Sequence, residues 1–208
     1  MAVLLSVNIG TARPIAAKSG MSGIYKTPTQ GPVEITADGL SGDNIVDTAN
    51  HGGVDQAVYA YCRADYDWWE GELKLPLAPG HFGENLTLDG LESADFSVGD
   101  RLEIGNVVLE VSAPRVPCVT IGVRMGDLRF VKTFHEAGRP GPYFRVLEGG
   151  TVEAGMPVRH VPWKGSAPVP IAELRTPLKI ANLSEAERER LLAVPIHGSL
   201  RRALTEPG

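Results

Sequence analysis

Cys118 is the residue of this sequence best suited to act as a nucleophile or metal ligand, because of the residues around it. Pro117 precedes it directly, and Pro114 and Arg115 lie just upstream. Proline holds φ at about −65° and donates no backbone hydrogen bond, so the two prolines end a strand and stiffen the chain beside the thiol. Arg115 supplies a permanent positive charge, which favours a thiolate over a thiol. These features suit a nucleophile or a metal ligand, but cysteines are also common as small core residues, and the local sequence leaves both interpretations open.

Two glycine-containing segments upstream of Cys118 are typical of loops that approach a ligand. One is Gly-Leu-Ser-Gly-Asp, which ends at Asp43, and the other begins at His51, followed by Gly52 and Gly53. Paired glycines allow close approach of the backbone and can present amide groups to an anion, so Gly52 and Gly53 are candidate cofactor-binding residues. His51 is a candidate proton donor or phosphate ligand, with a structural histidine as the alternative. Asp43 is a candidate proton donor or a residue that braces a turn.

Four further polar residues are candidates for binding or catalysis. Lys26 could bind a phosphate or be an exposed, solvated lysine. Glu84 and Asn85 follow a glycine-flanked turn at the start of a strand, where they are either ligand-binding or solvent-facing. Asn85 can both donate and accept hydrogen bonds, which suits recognition of a pterin or purine edge. Arg145 stands among apolar residues of a strand, where an arginine needs an anionic partner, either a ligand phosphate or a structural carboxylate.

The strand pattern predicts what positions the cysteine. Apolar residues alternate with other residues on both sides of Gly105 and Asn106, which indicates a β-hairpin whose second strand leads to Cys118. Further strands are predicted over 3–9 and 58–61. The 24 glycines and 16 prolines imply many turns, which is typical of the short strands of a barrel or sandwich. The sequence therefore predicts a mainly β fold.

Helices are predicted to be few and peripheral. An amphipathic helix is expected over 65–75, and a second is expected to begin at the N-cap Asp127 and to end at Gly138. These helices would cover the outside of a β-barrel, which is expected to close near Val158. Cys62 ends a strand and is most simply a core residue.

The end of the chain has a different character. A proline-rich connector leads to a capping box from Ser184 to Glu187, and a last helix is expected over 199–204. We therefore predict a β-barrel domain over 1–162, followed by a linker and a small helical C-terminal appendage over 163–208.

Composition restricts the class of protein. The formal net charge is −5 at pH 7 and no run of lysine or arginine occurs, so nucleic acid is not an expected partner. The sequence shows no signal pattern and no apolar run approaching the roughly 20 residues of a membrane span, so we expect no membrane association and a cytoplasmic location. Only Cys62 and Cys118 are present, in unlike contexts, which fits a reduced compartment rather than a disulfide framework.

Several sequence blocks follow one another in one order along the chain. They are Gly-Leu-x-Gly-Asp (39–43), His-Gly-Gly-x-Asp-x-Ala-Val-Tyr-x-Tyr (51–61), Phe-Gly-Glu-Asn-Leu (82–86) with Val-Gly-Asp (98–100), Pro-Arg-x-Pro-Cys (114–118) and Tyr-Phe-Arg-Val (143–146). Together they resemble the MOSC family, named for the C-terminal domain of molybdenum cofactor sulfurase, and in particular its stand-alone bacterial members of the YiiM type. The resemblance runs from about residue 3 to about residue 160.

The resemblance implies a MOSC-type β-barrel that binds molybdenum cofactor, with Cys118 as the protein thiolate on molybdenum. Related enzymes reduce N-hydroxylated compounds, such as hydroxylaminopurines and amidoximes, to amines or amidines. Relatives often carry lysine two residues after the cysteine, where this chain has Thr120, so no role of that lysine transfers. The candidate proton donors are His51, Asp43 and Glu84, the candidates for the cofactor phosphate are Lys26, Arg115 and Arg145, and Asn85 is the candidate for the pterin or the substrate.

Three functions are compatible with this sequence. The first is a reductase of an N-hydroxylated small molecule, which would need a separate electron-donor protein because no ferredoxin-like cysteine cluster is present. The second is a non-catalytic carrier of molybdenum cofactor, or of sulfur as a persulfide on Cys118. The third is a barrel in which Cys118 is only a core residue. A homodimer is left open, because the C-terminal appendage is too short to bury a core of its own.

Overall fold

The computed structural model describes residues 1–46, 52–165, 167–176 and 178–206. The strands are β1 (Ala2–Ile9), β2 (Arg13–Pro14), β3 (Met21–Ser22), β4 (Thr27–Pro28), β5 (Val33–Thr36), β6 (Gly39–Leu40), β7 (Val58–Cys62), β8 (Leu86–Asp89), β9 (Arg101–Ile104), β10 (Val107–Pro114), β11 (Pro142–Glu148), β12 (Gly150–Val152) and β13 (Pro157–Val161). The α-helices are α1 (Arg63–Leu73), α2 (Val119–Arg124), α3 (Phe130–Ala137), α4 (Glu185–Leu192) and α5 (Gly198–Thr205). Short 3₁₀ turns span Val54–Gln56, Ser93–Asp95, Ile171–Leu174 and Ile180–Asn182.

Seven of these strands form a closed β-barrel, as the sequence predicts. Their order is β13-β9-β10-β11-β7-β8-β1, and β1 pairs back with β13 to close the ring. Neighbouring strands are antiparallel except β7 and β8, which are parallel. Closure leaves these strands without an unpaired edge. All five residues of β7 are buried, because one face lies in the barrel and the other lies under helices.

The hairpin that leads to Cys118 is confirmed. Val107 on β10 pairs with Ile104 on β9, and Gly105 takes a positive φ of 58° in the turn between them. The strand β10 continues through Pro114, and a four-residue segment then carries the chain to α2, for which Cys118 is the N-cap. The sequence analysis did not predict α2.

The second predicted helix begins later than expected. Asp127 is not its N-cap; α3 begins at Phe130, and Arg129 occupies the N-cap position. The carboxylate of Asp127 accepts hydrogen bonds from the backbone and the guanidinium of Arg129, so it braces the turn between α2 and α3. The C-terminal end is as predicted, because Gly138 adopts a left-handed conformation with φ of 68°.

An aromatic layer joins α1 and α3 to the outer face of β7. Trp69 of α1 stacks on Phe134 of α3 with ring centroids 5.7 Å apart and an interplanar angle of 4°. The Trp69 indole also donates a 2.8 Å hydrogen bond to the hydroxyl of Tyr61 on β7. This layer forms a second apolar cluster outside the barrel, and it fixes the position of α3 beside the chain segment that carries Cys118.

The C-terminal segment packs on the barrel. Ser184 and Glu187 form the predicted capping box of α4. Leu191, Ile196 and Leu204 belong to the same apolar cluster as the barrel interior. The division into 1–162 and 163–208 stays a prediction. Within the ranges that the structure describes, no helix combines the length and apolar character needed to cross a membrane.

Candidate functional site

Two cavities meet at Cys118, which is half-buried. The first, which we call the polar cavity, has a volume of about 100 Å³ and is lined by Lys26, Asp43, Asn85 and Arg115. The second, which we call the proline-lined cavity, has a volume of about 410 Å³. Its wall comes mainly from the segment around the cysteine, with Pro114, Val116, Pro117 and Val119. Both cavities share Ser19, Gln56, Cys118, Thr120 and Tyr143.

Arg115 is a buried cation without a carboxylate partner among the residues that the structure describes. It is 5% exposed, and its guanidinium carbon lies 5.3 Å from the ring centroid of Tyr59 and 5.4 Å from that of Phe134. Burial favours loss of the proton, but interactions with Tyr59, Tyr143 and Cys118 outweigh it and raise the pKa of Arg115. The Nη1 atom is buried and has no hydrogen-bond partner in the described part of the chain. A buried charged donor of this kind favours an anionic ligand.

Lys26 and Asp43 form an ion pair in the polar cavity. The ammonium of Lys26 donates to Asp43 Oδ2, and the side-chain amide of Asn85 donates to the same oxygen at 2.9 Å. The backbone N–H of Gly10 donates to Asp43 Oδ1 at 2.8 Å. Burial lowers the pKa of Lys26, although Asp43 opposes this change. Three predicted residues, separated along the chain, are therefore brought together, and the lysine charge is largely balanced within the protein.

Glu84 lies next to this group but does not line either cavity. It is fully buried, and its Oε1 accepts hydrogen bonds from Tyr66 Oη at 2.6 Å, from the Gly80 N–H at 2.6 Å and from Thr87 Oγ1 at 2.8 Å. Burial raises the pKa of Glu84 despite these hydrogen bonds. Its Oε2 has no hydrogen-bond partner among the residues that the structure describes. The structure thus places Glu84 behind the wall of the polar cavity rather than at its surface.

Arg145 has structural carboxylates as its partners, which is one of the two alternatives that the sequence left open. Its Nε donates to Asp55 Oδ1 at 2.9 Å, and its Nη1 donates to Glu110 Oε1 at 2.9 Å. Its Nη2 donates to the carbonyl of Ile196 at 3.3 Å. Arg145 does not line the cavities at Cys118, because Asp55, Glu110 and the Ile196 carbonyl hold its guanidinium away from them.

The residues of the second glycine segment have different positions. Gly52 lines the polar cavity with φ of 80°, a conformation that favours glycine. Gly53 is exposed, and it precedes the 3₁₀ turn over Val54–Gln56. His51 lies outside the described residues, so its predicted role stays a prediction.

Of the five residues that border both cavities, the sequence predicted only Cys118 as a site residue, and Tyr143 and Gln56 are the most informative of those missed. Tyr143 lies beside Arg115, and burial raises the pKa of its phenol, so the hydroxyl keeps its proton. Gln56 follows the glycine segment, and nothing about a glutamine at this position predicts a functional role. Tyr143 is a named residue of the block over 143–146, which was the available signal for it, whereas Gln56 occupies an unspecified position of the block over 51–61 and gave no signal.

Comparison with known proteins gives a consistent result. The MOSC domain profile matches residues 47–159. The uncharacterized protein YflK of Bacillus subtilis is 38% identical over 154 residues, which cover 73% of this chain and 70% of that protein. Protein YiiM of Escherichia coli is 33% identical over 144 residues, which cover 67% of this chain and 64% of YiiM. A protein named reductase from Gibberella moniliformis is 35% identical over 160 residues, but the match spans only 28% of its length.

Solved structures show the same fold. The crystal structure of YiiM from Geobacillus stearothermophilus superposes with a TM-score of 0.78 at 28% identity, covering 98% of this chain and 97% of that one. The crystal structure of YiiM from Escherichia coli gives a TM-score of 0.74 at 25% identity, covering 98% of this chain and 90% of that one. The similarity therefore includes the C-terminal segment as well as the barrel.

Proposed function

Because the chain belongs to the MOSC family, we propose that it binds molybdenum cofactor and reduces N-hydroxylated compounds such as hydroxylaminopurines. The observation that carries this proposal is the position of Cys118, at the meeting point of two cavities and in electrostatic contact with the buried Arg115 guanidinium. A positive charge beside sulfur favours the thiolate, which is the form that binds a soft metal.

The donor groups of the polar cavity fit the cofactor. A thiolate at Cys118 suits molybdenum, and the unpartnered Nη1 of Arg115 suits an anionic group such as a phosphate. Lys26 contributes less net charge, because Asp43 is paired with it. Asn85 is held by Asp43 and by the backbone of Tyr59, so its orientation is set before any ligand arrives. We assign Cys118 and Arg115 as the principal contacts, with Lys26, Asp43 and Asn85 as the remaining wall.

The proline-lined cavity is our candidate for the substrate. When bound, the cofactor supplies the two-electron reduction of the N–O bond. Val116 and Val119 are 50% and 48% exposed beside Cys118, so they offer apolar contacts to a flat organic molecule. Tyr143 faces both cavities and keeps its phenolic proton, which makes it a hydrogen-bond donor to a substrate oxygen. The release of water also requires protons, and Lys26, whose pKa is lowered, is a candidate source in addition to Asp43 and His51.

Electrons would come from a separate donor protein. Among the described residues, no group of three or more His, Cys, Asp or Glu side chains is arranged to hold a metal ion. We propose a flavin or iron–sulfur protein as the donor class, since a flavin delivers electrons one or two at a time and an iron–sulfur cluster delivers them one at a time.

The test compares wild-type protein with Cys118→Ser, both purified from a host that makes molybdenum cofactor. We expect wild-type protein to hold near-stoichiometric molybdenum and pterin, and to oxidise dithionite-reduced viologen dye when 6-hydroxylaminopurine is added. Cys118→Ser should lose molybdenum by about tenfold or more, because a thiolate ligand is replaced by a weakly binding hydroxyl. Metal analysis, pterin fluorescence and dye oxidation measure the three quantities.

The matched control is Cys62→Ser. Cys62 is fully buried at the end of β7 and lies away from both cavities, so this change should alter stability but not molybdenum content per folded molecule. Cofactor binding without dye oxidation would favour the carrier function over the reductase. A wild-type protein that contains neither molybdenum nor pterin, although other molybdenum enzymes of the same host are loaded, would contradict both.

A further inference from the structure

The C-terminal segment reaches the candidate site at Gln56. The Nε2 atom of His197 lies 3.4 Å from the terminal amide of Gln56, which lines both cavities beside Cys118. His197 is the N-cap of α5 and lies 141 residues away from Gln56 along the chain. The contact therefore joins the C-terminal segment to the wall of the cavities.

Stronger contacts hold His197 in this place. The N–H of Gly198 donates to Asp55 Oδ2 at 2.7 Å, and the N–H of His197 donates to the carbonyl of Ser112 at 3.0 Å. The hydroxyl of Ser112 in turn donates to the carbonyl of Asp55. The backbone around His197 is thus attached directly to the residue before Gln56, and the position of the imidazole does not depend on its own long contact.

The hydrogen bonds of His197 define its tautomer. The N–H of Ser199 donates to His197 Nδ1 at 3.1 Å, so Nδ1 is an acceptor, and the Ser199 hydroxyl, 2.8 Å from the same atom, is then a second donor to it. Burial lowers the pKa of His197, and Arg145 and Arg202 lower it further while Asp55 opposes them, so the ring is neutral at pH 7. A neutral imidazole with a lone pair on Nδ1 carries its proton on Nε2. The Nε2–H group that faces Gln56 is therefore a donor.

This tautomer fixes the orientation of the Gln56 amide. The structure directs Gln56 Nε2 toward His197 and leaves the buried Oε1 without a hydrogen-bond partner among the described residues. A donor on His197 requires these two amide atoms to be exchanged, so that the oxygen faces His197, because the recorded orientation places two donors together. The NH₂ group then occupies the other amide position, which is buried and has no hydrogen-bond partner among the described residues. A buried donor without a partner is unfavourable, so this position calls for an acceptor from a bound ligand.

We propose that Gln56 donates its side-chain N–H to the oxygen of the N–O group of the substrate, and that His197 is the positioning residue that holds the amide in this orientation. The inference rests on the proposed function for the identity of the substrate. Under this proposal, the C-terminal segment contributes a positioning residue, His197, to the site.

The first test needs no turnover. Long-range ¹⁵N–¹H correlation spectra of the full chain, labelled with ¹⁵N-histidine, report the tautomer of each of the five histidines. The signal of His197 is identified by its loss in His197→Asn. We expect a neutral ring protonated on Nε2 at pH 7. A ring protonated on Nδ1, or a cationic ring, would overturn the orientation assigned to Gln56.

The second test uses Gln56→Glu in the molybdenum-loaded protein. The carboxylate keeps an acceptor for His197 but replaces the N–H donor by a second oxygen, so kcat/KM for 6-hydroxylaminopurine should fall by about tenfold or more. Gln30→Glu is the matched control, because Gln30 is exposed and the change in charge is the same. His197→Ala should also lower kcat/KM, but adding it to Gln56→Glu should lower kcat/KM no further, since His197 acts through Gln56.

The outcomes separate the two proposals. Equal activity of Gln56→Glu and Gln30→Glu in a protein with wild-type turnover would overturn this inference and leave the proposed function intact. Additive effects of the Gln56 and His197 changes would overturn the positioning role. Absence of turnover in loaded wild-type protein would overturn the proposed function and the substrate contact with it, while the spectra would still decide the tautomer.

Discussion

Burial determines how Glu84 titrates and what it does to stability. The carboxyl group is fully buried, and burial raises its pKa above 4.5 despite hydrogen bonds from Tyr66, Gly80 and Thr87. The folded state therefore binds this proton more tightly than the unfolded state does. Stability from this group is complete below the unfolded pKa and is lost as pH rises through the folded pKa.

We expect this loss to disappear in Glu84→Gln. Between pH 4.5 and the raised pKa, the free energy of unfolding of the wild type should fall relative to Glu84→Gln by up to about 1.4 kcal/mol per pH unit. Urea unfolding at a series of pH values measures this difference. Glu72→Gln is the control, because Glu72 is exposed on α1, and its curve should run parallel to that of the wild type. A difference between wild type and Glu84→Gln that does not change with pH would contradict the prediction.

At the residue scale, sequence reasoning found the members of the polar cavity better than it found their states. Residue type and block order were sufficient to select Lys26, Asp43, Asn85, Arg115 and Cys118, all of which line that cavity. The same reasoning could not show that Lys26 is paired with Asp43, because the pair is 17 residues apart and meets only in the folded chain. Pairing and burial are properties of the tertiary structure, so they cannot be read from a residue's type.

At the scale of elements, one buried carboxylate connects the parts of the layer that supports Arg115. Asp65 of α1 accepts hydrogen bonds from the N–H and hydroxyl of Ser93, at 3.1 and 2.6 Å, and from Arg139 Nη1 at 2.6 Å. Its side chain is 0% exposed. It joins α1 to the turn before β9 and to the segment after α3, whose Phe134 packs on Arg115.

Asp65→Asn should destabilise the protein by about 3 kcal/mol, because it places an amide N–H₂ against groups that donate and leaves Arg139 without its anion. The midpoint of urea unfolding measures the loss. Asp67→Asn is the matched control on the same helix; Asp67 is 62% exposed in its pair with Arg63, so its loss should be below about 1 kcal/mol. Similar losses for the two variants would show that Asp65 does not hold these elements together.

The sequence predicted elements with a regular apolar period better than short, polar ones. The strands β9 and β10 and the helix α1 were anticipated because alternation or helical spacing is repeated over several residues. The helix α2 has only six residues and follows a proline-containing segment, so it shows no period of its own. The start of α3 was misplaced because Asp127 is a good N-cap by type but is engaged by Arg129 in a turn.

At the scale of the whole molecule, Arg145 connects the barrel to the C-terminal segment. Its guanidinium lies between Asp55, Glu110 and the carbonyl of Ile196. Burial tends to raise the pKa of Asp55, but hydrogen bonds from Gly198 and Arg145 outweigh it and lower that pKa. The C-terminal segment also shares the apolar core of the barrel. These contacts predict that the two parts unfold as one cooperative unit.

Arg145→Met is therefore expected to destabilise the whole chain rather than to release the C-terminal segment alone. The loss should be about 2 kcal/mol, between the values for exposed and buried ion pairs, because the arginine side chain is 20% exposed while that of Glu110 is 8% exposed. Replacing Asp55 and Glu110 by Asn and Gln in the same chain should restore most of this stability, since it removes the unpaired charges.

The control is Arg159→Met. The Arg159 side chain is 67% exposed in its pair with Glu103, so this change should cost less than about 1 kcal/mol. Limited proteolysis and urea unfolding would show one transition if the prediction is right, whereas early cleavage of an intact barrel from its C-terminal segment would show that Arg145 only attaches the segment. The carboxylate partners of Arg145 lie 35 and 90 residues away along the chain and meet it only in the folded protein, which is why the sequence left its partner undecided between a phosphate and a carboxylate.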